Sequence, residues 1–222
     1  MSTILIAEND PRTIDLLPRI VCDQIPNVMV DLCTSTEDLA RHRQLSSYDA
    51  IAISPILLQG YHLLKYKADR HLLTPLLVTA SREDRELASR YLERDAFGLI
   101  VKPVIPQEAV QTVKLALWQS ALLKLLASRE RAVARFRQHM EAFPHARQME
   151  EEFASKMSAY DKTLQALTTS LGHLLSNEGE RSVLDMAGFV ESTMRKQALD
   201  RLLTLGQEEV SSLGVGNRIK AA

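Results

Sequence analysis

Up to Pro103 the chain alternates five short apolar, β-rich runs with four amphipathic stretches, and this alternation restricts the fold more than any other feature. The runs are "TILIAE", "NVMVDLCTS", "YDAIAIS", "TPLLVTAS" and "GLIVKP". Between them "PRTIDLLPRIVCDQI", "TEDLARHRQL", "LLQGYHLLKYKADR" and "REDRELASRYLERDA" carry apolar residues at helical spacing. Strands that are apolar on both faces need covering on both faces. The pattern therefore predicts an α/β fold with a doubly wound, five-stranded parallel sheet. Ligands of such sheets sit beyond the carboxyl ends of the strands. Here those ends carry Glu8, Asn9 and Asp10, then Ser54, Thr79 and Lys102-Pro103.

After Pro106 the pattern changes. No strand signal and no glycine occurs from there to about Phe143, which predicts one long helix that closes the first domain and continues beyond it. Pro144 marks a turn or the first turn of the next helix. Apolar residues then recur at Phe153, Met157, Tyr160, Leu164, Leu167, Leu171 and Leu174, the seam of a coiled coil or helical bundle. "SNEGER" breaks the seam, a third helix is expected over about 182–205, and the tail reads as frayed. The expected division is an α/β domain over 1–120 and an all-α domain over 121–222, with the linking helix beginning near 106.

Composition narrows the function classes. With 222 residues, 45% of them hydrophobic and 25% charged, the chain has the make-up of a globular protein. No apolar run reaches the roughly 20 residues that cross a bilayer, and the N-terminal run is short and ends in acids, unlike a signal peptide. Cys22 and Cys33 form no CxxC pair, so neither a disulfide framework nor a zinc site is expected, and a reduced cytoplasmic protein is the simplest reading. The net charge of −1 gives no overall attraction to nucleic acid.

Taken together, "ILIAENDP", "YDAIAIS", "LLVTAS" and "VKP" make residues 1 to about 120 resemble the receiver domain of two-component response regulators. The resemblance implies a site in which an acidic pair and a phosphoacceptor aspartate bind Mg²⁺, and the aspartate accepts a phosphoryl group. A hydroxyl residue and a lysine then contact the phosphoryl oxygens. Carried over by position, Glu8 and Asn9 fall on the acidic pair, Ser54 on the phosphoacceptor, Thr79 on the hydroxyl and Lys102 on the lysine. Leu99 falls on the switch aromatic.

The departures matter chemically. An acyl phosphate requires a carboxylate nucleophile, which Ser54 lacks, and Mg²⁺ requires several hard oxygen ligands, which Asn9 and Ser54 deplete. Asp10 offers a partial substitute one residue further along, so that a weak Mg²⁺ site at Glu8 and Asp10 is the most the residues allow. "SPILLQG" also makes the loop after Ser54 about two residues short. The expectation is a pseudo-receiver without phosphorylation chemistry, without a cofactor and without enzymatic activity. Lys102 then needs another acidic partner, Glu8 first.

For the helical half, the seam predicts helix packing within the chain or across a homodimer, and Trp118 is expected to pack where the first domain meets the long helix. His139, His145 and His173 raise histidine phosphotransfer as an alternative, although none lies in a phosphotransfer motif. Arg129, Arg131, Arg135, Arg137 and Arg147 raise an RNA-binding, antiterminator-type output. Residues 121–222, however, hold 14 Lys and Arg against 13 Asp and Glu, too weak a field for phosphate-backbone affinity. The function expected from sequence is a phosphorylation-independent signalling protein that binds a protein partner and works as a dimer, with neither membrane nor nucleic acid as its target.

Overall fold

The computed structural model describes residues 1–42, 44–61, 74–94, 96–142 and 147–175. Among the described residues one compact unit contains Met1–Leu117 and a second begins at Trp118. The first unit runs β1 (Ser2–Ala7), α1 (Pro11–Gln24), β2 (Val28–Cys33), α2 (Thr36–Arg41), a 3₁₀ turn (Leu45–Ser47), β3 (Ala50–Ile53), α3 (Pro55–Tyr61), β4 (Leu76–Ala80), α4 (Arg85–Arg94) and β5 (Gly98–Val101). A long helix α5 (Pro106–Ala142) and a helix α6 (Arg147–Leu175) follow. The helix expected over "TEDLARHRQL" ends early, at Arg41, and only its last residue, Leu45, enters the 3₁₀ turn. The helix expected over about 182–205 lies outside the described residues.

All strand pairs are parallel, in the order β2-β1-β3-β4-β5. This order is doubly wound, with its switch point between β1 and β3. The central strands β1, β3 and β4 are buried on both faces, as their unbroken apolar sequences require. Edge strand β2 is only partly covered, with Met29 and Leu32 exposed. Leu5, Leu39, Ile51, Ile53, Leu58, Val78, Leu92 and Leu99 make one core layer. Asn27, at φ 56°, turns the chain into β2, a left-handed conformation that asparagine tolerates.

A polar chain closes one end of that layer. The Tyr48 hydroxyl donates to Asp31 Oδ2 at 2.6 Å and meets His42 Nδ1 at 2.8 Å, joining β2, the end of α2 and the entry to β3. Burial is the first cause that pushes the Tyr48 phenol well above its ordinary range, followed by its bond to Asp31. Tyr48→Phe is expected to lower stability by about 0.5–1.5 kcal/mol, since Asp31 is exposed and can turn to water. Urea midpoints of the two proteins read the difference.

In the second unit α5 and α6 pair as an antiparallel hairpin. Trp118 Nε1 donates to the Leu167 carbonyl at 2.9 Å, Ser128 and Tyr160 share a hydroxyl bond at 3.0 Å, and Phe136 stacks on Phe153 with centroids 4.0 Å apart. The partner numbers fall on one helix as they rise on the other, which fixes the direction. Arg129 and Asp161 add an exposed pair at 3.7 Å. The seam residues Phe153, Met157, Tyr160 and Leu167 are half-buried and Leu164 is buried, whereas the residues between them are mostly exposed. Leu171 and Leu174 fall in α6, but their side chains lie outside the described residues, as do those of His139, His145 and His173.

Candidate functional site

The sheet ladder runs one residue past three strands and delivers their ends to one crevice. Glu8 N bonds Cys33 O at 2.9 Å, Ser54 N bonds Ala7 O at 2.9 Å, and Lys102 N bonds Ala80 O at 2.8 Å. Thr79, inside β4, pairs with Ile100 of β5. The Lys102-Pro103 peptide is cis.

Glu8 is the hub of the site. Its side chain is fully buried, and burial of an unpartnered carboxylate would cost several kcal/mol. Both of its oxygens are therefore engaged. Oε1 accepts the backbone N–H of Asn9 at 2.9 Å, that of Asp10 at 3.0 Å, and Lys102 Nζ at 2.9 Å. Oε2 accepts the Thr79 hydroxyl at 2.5 Å. Lys102, at 12% side-chain exposure, thus forms a partly buried ion pair with Glu8, the acidic partner its charge calls for.

The other carried-over positions have different tasks. Asp10 caps α1, accepting Thr13 N at 3.1 Å and the Thr13 hydroxyl at 2.5 Å, with Pro11 just inside the helix. Ser54 does the same for α3. Its carbonyl accepts the Leu58 N–H at 3.0 Å, its Oγ receives the Leu57 N–H at a long 3.4 Å, and Pro55 opens the helix at once. The short loop after Ser54 is thereby explained, since α3 begins at the next residue. Asn9 is exposed at the crevice mouth, and Leu99 is buried in the core layer.

Sequence reading missed the second role of Ser54, although the signal was present. "DPRT" and "SPIL" are the same device, a capping side chain followed by a proline whose missing N–H costs a helix nothing at its first position. The bond to Thr13 is the first cause that holds the Asp10 carboxyl below its usual range, against desolvation. Asp10→Ala is expected to cost about 1 kcal/mol at neutral pH. A lowered folded-state pKa makes this stabilisation present above the unfolded pKa and lost as pH falls through the folded value. Urea midpoints of wild type and variant should therefore draw together between pH 5 and pH 2 (roughly the carboxylate range).

In front of these residues lies a cleft of about 650 Å³ lined by Asn9, Asp10, Ser54, Lys102, the aliphatic Leu16, Ile56 and Val104, and residues of the β4–α4 turn. In that turn Asp84 accepts from both the N–H and the hydroxyl of Ser81. Among the described residues no three His, Cys, Asp or Glu side chains are grouped to hold a metal ion.

A parallel sheet in this order, with an acid, a hydroxyl and a lysine meeting at its carboxyl edge, has the receiver (flavodoxin-like) fold. The chain is similar to NtrX from Brucella abortus, determined in complex with ADP, at TM-score 0.50 and 21% identity over 64% of this chain and 34% of that one. It is also similar to the Francisella response regulator 1452 receiver domain, at 16% identity and TM-score 0.45 over 53% of this chain and 97% of that one. The receiver domain of Brucella abortus NtrX gives 19% identity and TM-score 0.45 over 51% of this chain and 97% of that one. Neighbours of this kind cover about half of the chain, and at such identities the likeness is one of fold. No family model matches the sequence, and no curated protein matches it. Among the described residues no helix is long and apolar enough to cross a membrane.

Proposed function

We propose that this chain is an atypical, response-regulator-like signalling protein of the cytoplasm that acts through protein–protein contact, as a dimer and without phosphorylation. The observation that supports this most is the use already made of the strand-end groups. Position 54 offers a hydroxyl held at a helix cap, and a hydroxyl cannot become an acyl phosphate. Both Glu8 oxygens are engaged by protein donors, one Asp10 oxygen is engaged by Thr13, and positions 9 and 54 carry no carboxylate, a donor set too poor for an octahedral Mg²⁺ site. No catalytic step follows from such an arrangement. The Thr79 hydroxyl and Lys102, which would follow a phosphoryl group, are tied to Glu8 instead, and Leu99 offers no ring to swing. The receiver-type unit is in this reading a fixed surface whose state is set by a partner.

Nucleic acid is not the partner in this reading. Arg131 and Arg135 each turn a guanidinium N–H onto their own helix, at Ala127 O and Arg131 O, as solvated side chains do, and Arg129 faces Asp161. Light scattering on the full chain tests the dimer. A dimer mass that stays unchanged on adding Mg²⁺ and acetyl phosphate is expected. A monomer, or a mass that shifts with the phosphodonor, contradicts the proposal.

A further inference from the structure

We infer that the strand-end cleft binds a neutral acyl group, an amide or ester carbonyl carrying an aliphatic body, with the oxygen at Lys102 and Ser54 and the body against Leu16 and Ile56. The inference rests on the reading of Ser54 as a residue that takes no phosphate, and it assigns that cleft a ligand class.

Hydrogen-bond accounting gives the head group. An ammonium carries three N–H donors. Lys102 gives one to Glu8 Oε1 at 2.9 Å, and among the described residues no second acceptor reaches it. Ser54 is 1% exposed; its Oγ receives the Leu57 N–H, and among the described residues its own O–H proton has no acceptor. Both side chains line the cleft, so its floor donates where it does not accept. The group that satisfies it is an acceptor oxygen.

The walls give the body. Leu16 and Ile56 are 40% and 56% exposed, and both line this same cleft with Val104 beside them. A buried and a partly buried donor beneath exposed aliphatic side chains reverse the ordinary surface order and mark a place for an amphiphile. The volume of about 650 Å³ falls in the range of small-molecule sites. Charge decides between acceptor heads. Asp10, Glu83 and Asp84 line the cleft against Arg12 and a Lys102 already paired with Glu8, a balance that disfavours a free carboxylate.

The test follows the methyl resonances of Leu16 and Ile56 in the full-length protein while hexanamide, butanamide, acetamide, hexanoate or hexylamine is added. Hexanamide is expected to shift both sets of methyls to saturation, with affinity falling about fourfold for each methylene removed. Hexanoate and hexylamine should bind more weakly. Ile56→Asp, at an exposed position that leaves the fold intact, should weaken hexanamide about tenfold. Absent shifts, affinity independent of chain length, equal or tighter binding of hexanoate or hexylamine, or an unaffected Ile56→Asp protein would each overturn the inference. Phosphoryl uptake is read separately by mass, so failure of the phosphorylation-free reading is distinguishable from failure of this one.

Discussion

Lys102→Met is expected to remove about 3–5 kcal/mol of stability from the α/β unit, because it strands the buried Glu8 carboxylate without its cation. Two backbone N–H groups and Thr79 would still bond Glu8, yet none of them carries the opposing charge. A loss of that size removes a large part of the total stability of an ordinary domain. Adding Glu8→Gln to Lys102→Met should recover much of it, since the amide removes the charge and keeps an acceptor oxygen for Asn9 N and Asp10 N. Urea unfolding of both variants reads the comparison. A Lys102→Met protein within 1 kcal/mol of wild type (about the worth of an exposed pair) would show that the remaining donors suffice for Glu8 without Lys102.

The second large effect is expected in the helical hairpin. Trp118→Ala should cost about 3–5 kcal/mol, the usual range for truncating a large buried aromatic side chain. Trp118 is almost fully buried, and its indole N–H ties α5 to the Leu167 carbonyl one helix away. Trp118→Phe separates the two contributions. It keeps most of the apolar bulk and should lose only about 0.5–1.5 kcal/mol for the missing donor, beyond any packing change. Unfolding followed by far-ultraviolet circular dichroism measures both. An alanine variant that unfolds with the wild-type midpoint would mean that the hairpin is held elsewhere, at the Phe136–Phe153 stack.

How much of this was readable in the chain depends on the kind of signal. Periodicity reports faces, so the five apolar runs and their covering helices are legible, and the strand order follows the doubly wound rule once the strands are placed. The rule that ligand-side residues gather at carboxyl ends also brought together Glu8, Thr79 and Lys102, although the last two lie 71 and 94 residues from the first. Periodicity does not report partners. The seam of α6 was visible as a face, but only the contacts at Trp118, Ser128 and Phe136 show that this face meets α5 running the other way. Only one role of Ser54 was read, for a related reason. Its position in the strand order suggested a lost phosphoacceptor, while the adjacent Pro55 carried the equally physical signal of a helix cap. The Asp31–Tyr48–His42 chain was invisible, because hydrogen bonds between separate elements leave no period in the sequence.

The central claim is that this receiver-type fold no longer performs phosphoryl chemistry. Intact-mass spectrometry of the full chain after incubation with Mg²⁺ and acetyl phosphate tests it most directly. The account predicts the unmodified mass at every time point, in wild type and in Asp10→Ala alike. A phosphoryl adduct that appears with Mg²⁺ and disappears when the protein is denatured at alkaline pH would contradict it, and would place the acceptor on a carboxylate.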